Sequence, residues 1–162
     1  MRSWNSTMEE VMVVTFIGHS RIYEYDKLKL QVSAILTHLA NASNGELLCY
    51  CGGYGQFDDL CLSACEKLKE TFPKMKTIFV TPYITEYYQK RMKLFLEYNM
   101  YDEFLYPPLE DVPFRFAITK RNEWMISQAD TIIAFVNRTY GGAYKSLLYV
   151  RRKNKSIISI TN

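Results

Sequence analysis

Short apolar runs alternate with amphipathic segments along this chain, and that alternation limits its fold more than any other feature. The first run, rich in β-branched residues, is closed by Gly18, and similar runs follow it, so that the set covers residues 11–17, 46–50, 77–80, 131–136 and 157–160. Apolar residues at helical spacing occupy segments between these runs, at residues 27–39, 58–71, 120–129 and 143–153. Continuous apolar strands are typical of parallel sheets covered on both faces. The order predicts an α/β fold: a Rossmann-like, doubly wound, mostly parallel sheet of five strands with helices on both faces.

The size and composition of the chain fit one globular domain over residues 1–162, because 48% of its residues are hydrophobic and 23% are charged. The net charge of +3 comes from dispersed basic residues, which favours small anionic ligands over a long duplex. No apolar stretch reaches the roughly 20 residues of a membrane span, and the polar residues 1–10 lack the centre of a signal peptide. We therefore expect a cytoplasmic protein with no membrane partner.

Four cysteines lie within one short stretch, at Cys49, Cys51, Cys61 and Cys65. The first two share one face of a predicted strand, and the other two lie one turn apart on a predicted helix. Structural zinc sites usually take their ligands from tight C-x-x-C knuckles, which are absent from this sequence. We therefore expect thiols buried between strand and helix, and we expect no metal site and no cofactor.

Residues 85–116 are harder to interpret. Residues 86–98 can form a helix, whereas Pro107, Pro108 and Pro113 interrupt regular structure afterwards. The sequence predicts a helix followed by a covering loop.

Three predicted strands end in glycine-containing turns, at residues 18–21, 52–58 and 140–146. In a doubly wound sheet these turns share the edge at the carboxyl ends of the strands, where backbone N–H groups and helix N-termini bind anions. Glycine lets the backbone approach a phosphate closely. Neither common fingerprint is present: there is no G-x-G-x-x-G, and no glycine directly precedes Lys145 as a Walker A loop requires. We therefore expect neither a typical dinucleotide dehydrogenase nor a P-loop NTPase.

These motifs together resemble the SLOG superfamily, named for the DNA-processing protein Smf/DprA and the Lonely Guy enzymes, and are most similar to its YpsA-like branch. The resemblance runs through residues 16–21, 52–58, 81–83, 121–125, 129–130, 141–143 and 157–160. It implies a Rossmann-like domain that binds nucleotides or their derivatives, often as a homo-oligomer.

The chain departs from the Lonely Guy enzymes, which remove the base from a nucleoside monophosphate and carry P-G-G-x-G-T-x-x-E after the fourth strand. Residues 140–148 lack that glutamate. A similar segment, residues 51–59, follows the second strand instead and places acids at Asp58 and Asp59. Either acid is a candidate carboxylate for cleaving an N-glycosidic bond. The alternative for Asp58, and the commoner role of aspartate at a helix start, is to cap the helix that follows.

Four further side chains are candidates for ligand contacts. His19 and Arg21 follow the first strand, where they can contact phosphate or ribose, although a histidine there can equally be satisfied by neighbouring backbone. Arg121 and Asn122 match the family pattern, with a surface salt bridge and a helix cap as the alternative.

The leading hypothesis is a nucleotide-binding module. It places phosphates at residues 18–20 and 141–143, the sugar or base near residues 52–58, and a wall at residues 81–83, with Arg21 and Lys145 neutralising charge. The candidate ligand-binding residues are Gly18, His19, Ser20, Arg21, Gly52, Gly53, Gly55, Asp58, Thr81, Pro82, Arg121, Asn122, Gly141, Gly142, Ala143 and Ser146. Two alternatives stay open: a hydrolase of nucleoside monophosphates using Asp58 or Asp59, and a single-stranded nucleic-acid module, which the scattered charge disfavours.

Overall fold

A computed structural model describes residues 11–161, which form six strands and five α-helices. Residues 1–10, on which the expectation about a signal peptide rests, lie outside the described residues. The strands are β1 Met12–Gly18, β2 Leu47–Cys51, β3 Lys76–Val80, β4 Glu103–Leu105, β5 Thr131–Phe135 and β6 Ser156–Ser159. The helices are α1 Tyr25–Ala42, α2 Gln56–Leu68, α3 Glu86–Glu97, α4 Ala117–Gln128 and α5 Gly142–Arg152.

All six strands belong to one sheet in the order β4-β3-β2-β1-β5-β6, and every neighbouring pair is parallel. The chain runs outward from β1 to β4, crosses back beside β1 and continues outward through β5 and β6. The strand order therefore reverses between β1 and β5, which is where doubly wound sheets open a crevice for ligands. The predicted Rossmann-like, parallel fold is confirmed.

The sheet has six strands rather than the five predicted. The additional strand, β4, lies in the segment interpreted as a covering loop and pairs with β3, Ile78 opposite Glu103 and Val80 opposite Leu105. Three residues beginning with an exposed glutamate are too short to give a strand periodicity. The remainder of that segment contains a single 3-10 turn, Phe114–Phe116, which leads into α4 three residues before the predicted helix start.

Helices cover both faces of the sheet, as predicted. Phe16 of β1 packs in the larger core with α1 and α2, whereas its neighbour Ile17 packs on the opposite face with Ile126 of α4 and Val150 of α5. Successive strand residues point to opposite faces, so the strands contribute side chains to the packing on both faces of the sheet. This double burial explains why the strands are apolar without alternation.

The four cysteines all lie in the larger core as free thiols, which confirms the predicted burial between β2 and α2. Burial raises the pKa of the Cys51 and Cys61 thiols, and the neighbouring Cys65 together with burial raises that of Cys49. Protonated, water-excluded thiols act as small hydrophobic groups. Among residues 11–161, no helix is both long and apolar enough to cross a membrane.

Candidate functional site

A pocket of about 270 Å³ opens at the carboxyl edge of the sheet, where the glycine-containing turns converge. Ten of the predicted ligand-binding residues line it: Gly18, His19, Ser20, Gly52, Asp58, Arg121, Asn122, Gly142, Ala143 and Ser146. They come from the turns after β1 and β2, from α2, from α4 and from the first turns of α5. Residues far apart in sequence are thus gathered by the strand order β2-β1-β5.

Other predicted residues lie off the wall of this pocket. Thr81 and Pro82 are buried, and the Thr81 hydroxyl donates to the Tyr83 carbonyl at 2.6 Å, so this turn supports the site from behind. Arg21 lines a smaller adjoining pocket of about 100 Å³, which shares His19 with the first. The exposed Lys145 and Asp59 do not line the pocket either.

Gly55 joins the turns after β1 and β2. It has a φ of +91° directly before α2, and a β-carbon there would lie 2.7 Å from the Ser20 α-carbon. The Gln56 N–H donates to the Ser20 carbonyl at 2.9 Å. Only glycine permits both this left-handed backbone and this close approach, so Gly55 shapes the pocket from outside its wall. Gly53 and Gly141 also lie outside that wall.

Arg121 is a buried clamp rather than the surface ion-pair residue considered from the sequence. Its side chain is 4% exposed, and its Nη1 donates to the Val80 carbonyl at 2.6 Å and the Gly52 carbonyl at 3.2 Å. Its Nε donates to Asn122 Oδ1 at 2.8 Å. Arg121 therefore ties the ends of β2 and β3 together, and burial lowers its pKa although nearby Asp58 opposes that shift. The guanidinium stays cationic even so.

Asp58 lies in the first turn of α2, but it does not cap that helix's own N–H groups. Its Oδ2 accepts the backbone N–H of Tyr54, two residues before the first helical residue, at 3.0 Å. Burial raises the pKa of the Asp58 carboxyl to about 6, against the opposing effects of the Tyr54 N–H and Arg121. The pocket wall thus contains a carboxyl that titrates close to neutrality.

His19 connects the turn after β1 to the turn after β5. The side chain is 4% exposed, and its Nε2 accepts the Asn137 backbone N–H at 3.0 Å. Burial and the nearby Arg138 lower its pKa, so the ring is neutral and carries its proton on Nδ1. Within residues 11–161 that Nδ1 has no hydrogen-bond partner.

Two arginines of the pocket, Arg91 and Arg138, were not predicted from the sequence. Arg91 projects from α3, where it lies 5.3 Å from the Tyr88 ring centroid and donates to the Gly53 carbonyl at 3.2 Å. Arg138 is exposed in the turn after β5, 4.9 Å from the Tyr140 ring centroid. Arg138 lies only two residues before the predicted 140–146 turn, so its position directly after the predicted strand was the signal that could have indicated it.

The pocket carries an excess of positive charge. Arg91, Arg121 and Arg138 all line it, and every ion pair formed within residues 11–161 involves a lysine instead. The first turn of α5 adds the positive end of a helix dipole at Gly142 and Ala143. The arrangement is suited to an anionic ligand.

The fold and this pocket define a class: Rossmann-like α/β proteins with a cationic crevice at the carboxyl edge of a parallel sheet. No protein-family model matches the chain, and no curated protein matches it. Among the solved structures that share its fold are two whose sequence identities establish nothing beyond the fold.

One is the DNA processing protein A from Helicobacter pylori, with 18% identity, a TM-score of 0.65 and coverage of 97% of this chain and 68% of that protein. The other is the structural genomics target TM1055, with 13% identity, a TM-score of 0.58 and coverage of 91% and 72%. Both likenesses agree with the fold that the resemblance in the sequence implies, and membership of the SLOG superfamily stays a prediction. The YpsA-like assignment stays a prediction.

Proposed function

We propose that this protein binds a nucleotide or a nucleotide-derived ligand in the pocket at the carboxyl edge of its sheet. The observation that carries the proposal is the convergence of three arginines, none of them in an ion pair within residues 11–161, on one pocket beside the N-terminus of α5. Cations that form no ion pair favour a phosphorylated ligand, because phosphate supplies negative charge and accepts several hydrogen bonds.

The phosphate is assigned to the region between β1 and β5. Three kinds of donor meet there: the buried Nδ1–H of His19, the exposed guanidinium of Arg138, and the first turn of α5 at Gly142 and Ala143. A β-carbon placed on Gly142 would meet nothing within 4 Å, so the helix terminus is open. Arg138 takes the charge-neutralising role that the sequence suggested for Arg21 and Lys145.

Calorimetric titration with a panel of adenine and guanine nucleotides, ADP-ribose and cyclic dinucleotides tests the proposal. We expect saturable binding of at least one phosphorylated compound, weakened about tenfold in Arg138→Ala by loss of a charge-assisted contact. Arg151→Ala is the matched control, since it removes the same charge from the exposed last turn of α5, away from the pocket. Heats at the level of buffer across the whole panel would overturn the proposal.

A hydrolase of nucleoside monophosphates is a second candidate, and the position of Asp58 is the observation that favours it. A carboxyl in the pocket wall with a pKa of about 6 can take a proton from water as that oxygen bonds to C1′ and the bond to the base breaks. The leaving base then takes up a proton. Free base detected by chromatography, and lost in Asp58→Asn, would support this activity.

A single-stranded nucleic-acid module is the third candidate. The Helicobacter pylori structure describes single-stranded DNA binding by DNA processing protein A. The exposed Tyr54, 77% accessible at the pocket mouth, is suited to stacking on a base. Fluorescence anisotropy with a labelled oligonucleotide separates nucleic-acid binding from nucleotide binding. Oligonucleotide binding that a mononucleotide fails to displace would favour the nucleic-acid module.

The single-domain organisation, the cytoplasmic location and homo-oligomer formation are part of this proposal as predictions from the sequence. Gel filtration with light scattering measures the last of these directly.

A further inference from the structure

Among the residues that the structure describes, Asp58 is the one acidic residue on the wall of this pocket, whose other charged residues are arginines. Its Oδ2 accepts the Tyr54 N–H, whereas its Oδ1 has no hydrogen-bond partner within residues 11–161. A β-carbon on Gly52 would lie 3.3 Å from both Asp58 Oδ2 and Arg121 Nη2, so the two charged groups flank the same stretch of wall. An incompletely satisfied carboxylate beside a ligand site calls for a hydrogen-bond donor on the ligand.

The strand order fixes where along the ligand that donor belongs. The phosphate donors cluster at β1 and β5, whereas Tyr88 and Arg91 reach the pocket from α3, which follows β3. Asp58, at the start of the helix after β2, lies between these two groups. The distance from β5 to β3 is three strand spacings, or about 14 Å, so a nucleotide can lie across the edge with its phosphate at β5 and its base near Tyr88.

The sugar is then the part of the ligand that faces Asp58. A phosphate would be repelled by the carboxylate, but the hydroxyl groups of a ribose are donors of the kind that acidic residues bind in other Rossmann-like folds. We infer that Asp58 accepts a hydrogen bond from the 2′-hydroxyl of a ribose, so that the site selects ribonucleotides over 2′-deoxyribonucleotides. This inference rests on the proposed nucleotide-binding function and names its substrate class.

The test compares the dissociation constants of AMP and dAMP by calorimetry for the wild-type protein and three variants. Asp58→Asn keeps an acceptor for the Tyr54 N–H, and Asp58→Ala removes the side chain. Asp111→Asn makes the same chemical change at an exposed residue outside the pocket. We expect the wild-type protein and Asp111→Asn to prefer AMP about tenfold, the value of one hydrogen bond to a charged group, and Asp58→Ala to lose most of that preference. Asp58→Asn should keep only part of it, because its neutral amide nitrogen can donate to the hydroxyl oxygen in a weaker hydrogen bond.

Each other result has a defined meaning. Equal binding of AMP and dAMP by the wild-type protein overturns the inference and leaves the proposed function standing, whereas no binding of any nucleotide overturns both. A preference that survives in both Asp58 variants overturns the inference, because another group then reads the sugar. IMP, which lacks the adenine amino group, completes the set. If the Asp58 variants change the AMP to IMP ratio and leave the AMP to dAMP ratio unchanged, Asp58 contacts the base and the inference fails.

Discussion

Replacing Asp58 by asparagine should stabilise the protein at neutral pH and leave its stability unchanged in acid. Burial raises the pKa of this carboxyl from 3.8 to about 6, and each pKa unit corresponds to about 1.4 kcal/mol. The whole pKa shift corresponds to a destabilisation of about 3 kcal/mol by the charged carboxylate. Because the side chain is partly exposed to the pocket, we expect a gain in unfolding free energy of about 1–2 kcal/mol for Asp58→Asn. Asparagine keeps the shape and an acceptor for the Tyr54 N–H, so the variant isolates the charge.

The sign follows from proton linkage. The folded protein binds the Asp58 proton more tightly than the unfolded chain does, so the contribution of the charge to stability becomes unfavourable as pH rises. The penalty is absent only well below pH 3.8, where both states are protonated, and it is present in full only well above pH 6, where both are ionised. The stability of the wild-type protein relative to Asp58→Asn should therefore decrease as the pH rises through this range.

Urea unfolding followed by circular dichroism at about pH 3 and about pH 7.5 measures the difference. Asp111→Asn, which makes the same change on the surface, should differ from the wild-type protein by no more than about 0.5 kcal/mol at either pH. A lower stability of Asp58→Asn at about pH 7.5 would refute the reasoning, because the carboxylate would then stabilise the fold through its neighbours.

Three further results are expected from substitutions and chemical labelling. Gly18→Ala should lower the free energy of unfolding by about 1–3 kcal/mol, since its β-carbon would lie 2.2 Å from the Phe57 ring. Gly142 has open space around it, so Gly142→Ala should be as stable as the wild-type protein in the same urea titration. It should nevertheless bind nucleotide more weakly. Arg121→Met should cost about 2–4 kcal/mol in urea unfolding, because the Gly52 and Val80 carbonyls lose their donor. The four buried thiols should resist a thiol reagent in the native protein and react together once it unfolds, which absorbance of the released label would record.

Most of the fold could be predicted because the strands that build it are buried on both faces. The run at residues 11–17 is apolar except for Thr15, and β1 covers Met12–Gly18 in the centre of the sheet. The edge strand β4 was missed for the opposite reason: its three residues include an exposed glutamate and are only partly buried. Pairing with β3, rather than any local pattern, makes that segment a strand.

The site could be predicted where turn chemistry marks it, and at Arg121 and Asn122 through the family pattern. The glycines at residues 18, 52 and 142 follow predicted strands, and all three line the pocket. Arg91 has no such marker, because it is one charged residue on a helix with many others. Only the position of α3 after β3 brings it to the pocket, and the sequence does not specify the order of strands across a sheet.

Two of the three pocket arginines, Arg121 and Arg138, should differ in what their loss does. Two nitrogens of Arg121 donate to backbone carbonyls or to Asn122, so its contribution to a ligand is mostly electrostatic and its contribution to the fold is large. Arg138 is exposed and makes only a ring contact within the described part of the chain, so its donors stay available. Loss of Arg121 should therefore reduce stability and affinity together, whereas loss of Arg138 should reduce affinity alone. The pocket thus has a buried charge at Arg121 and an exposed charge at Arg138. This arrangement is expected if the anionic group of the ligand binds near β5 and the rest of the ligand is positioned near β2.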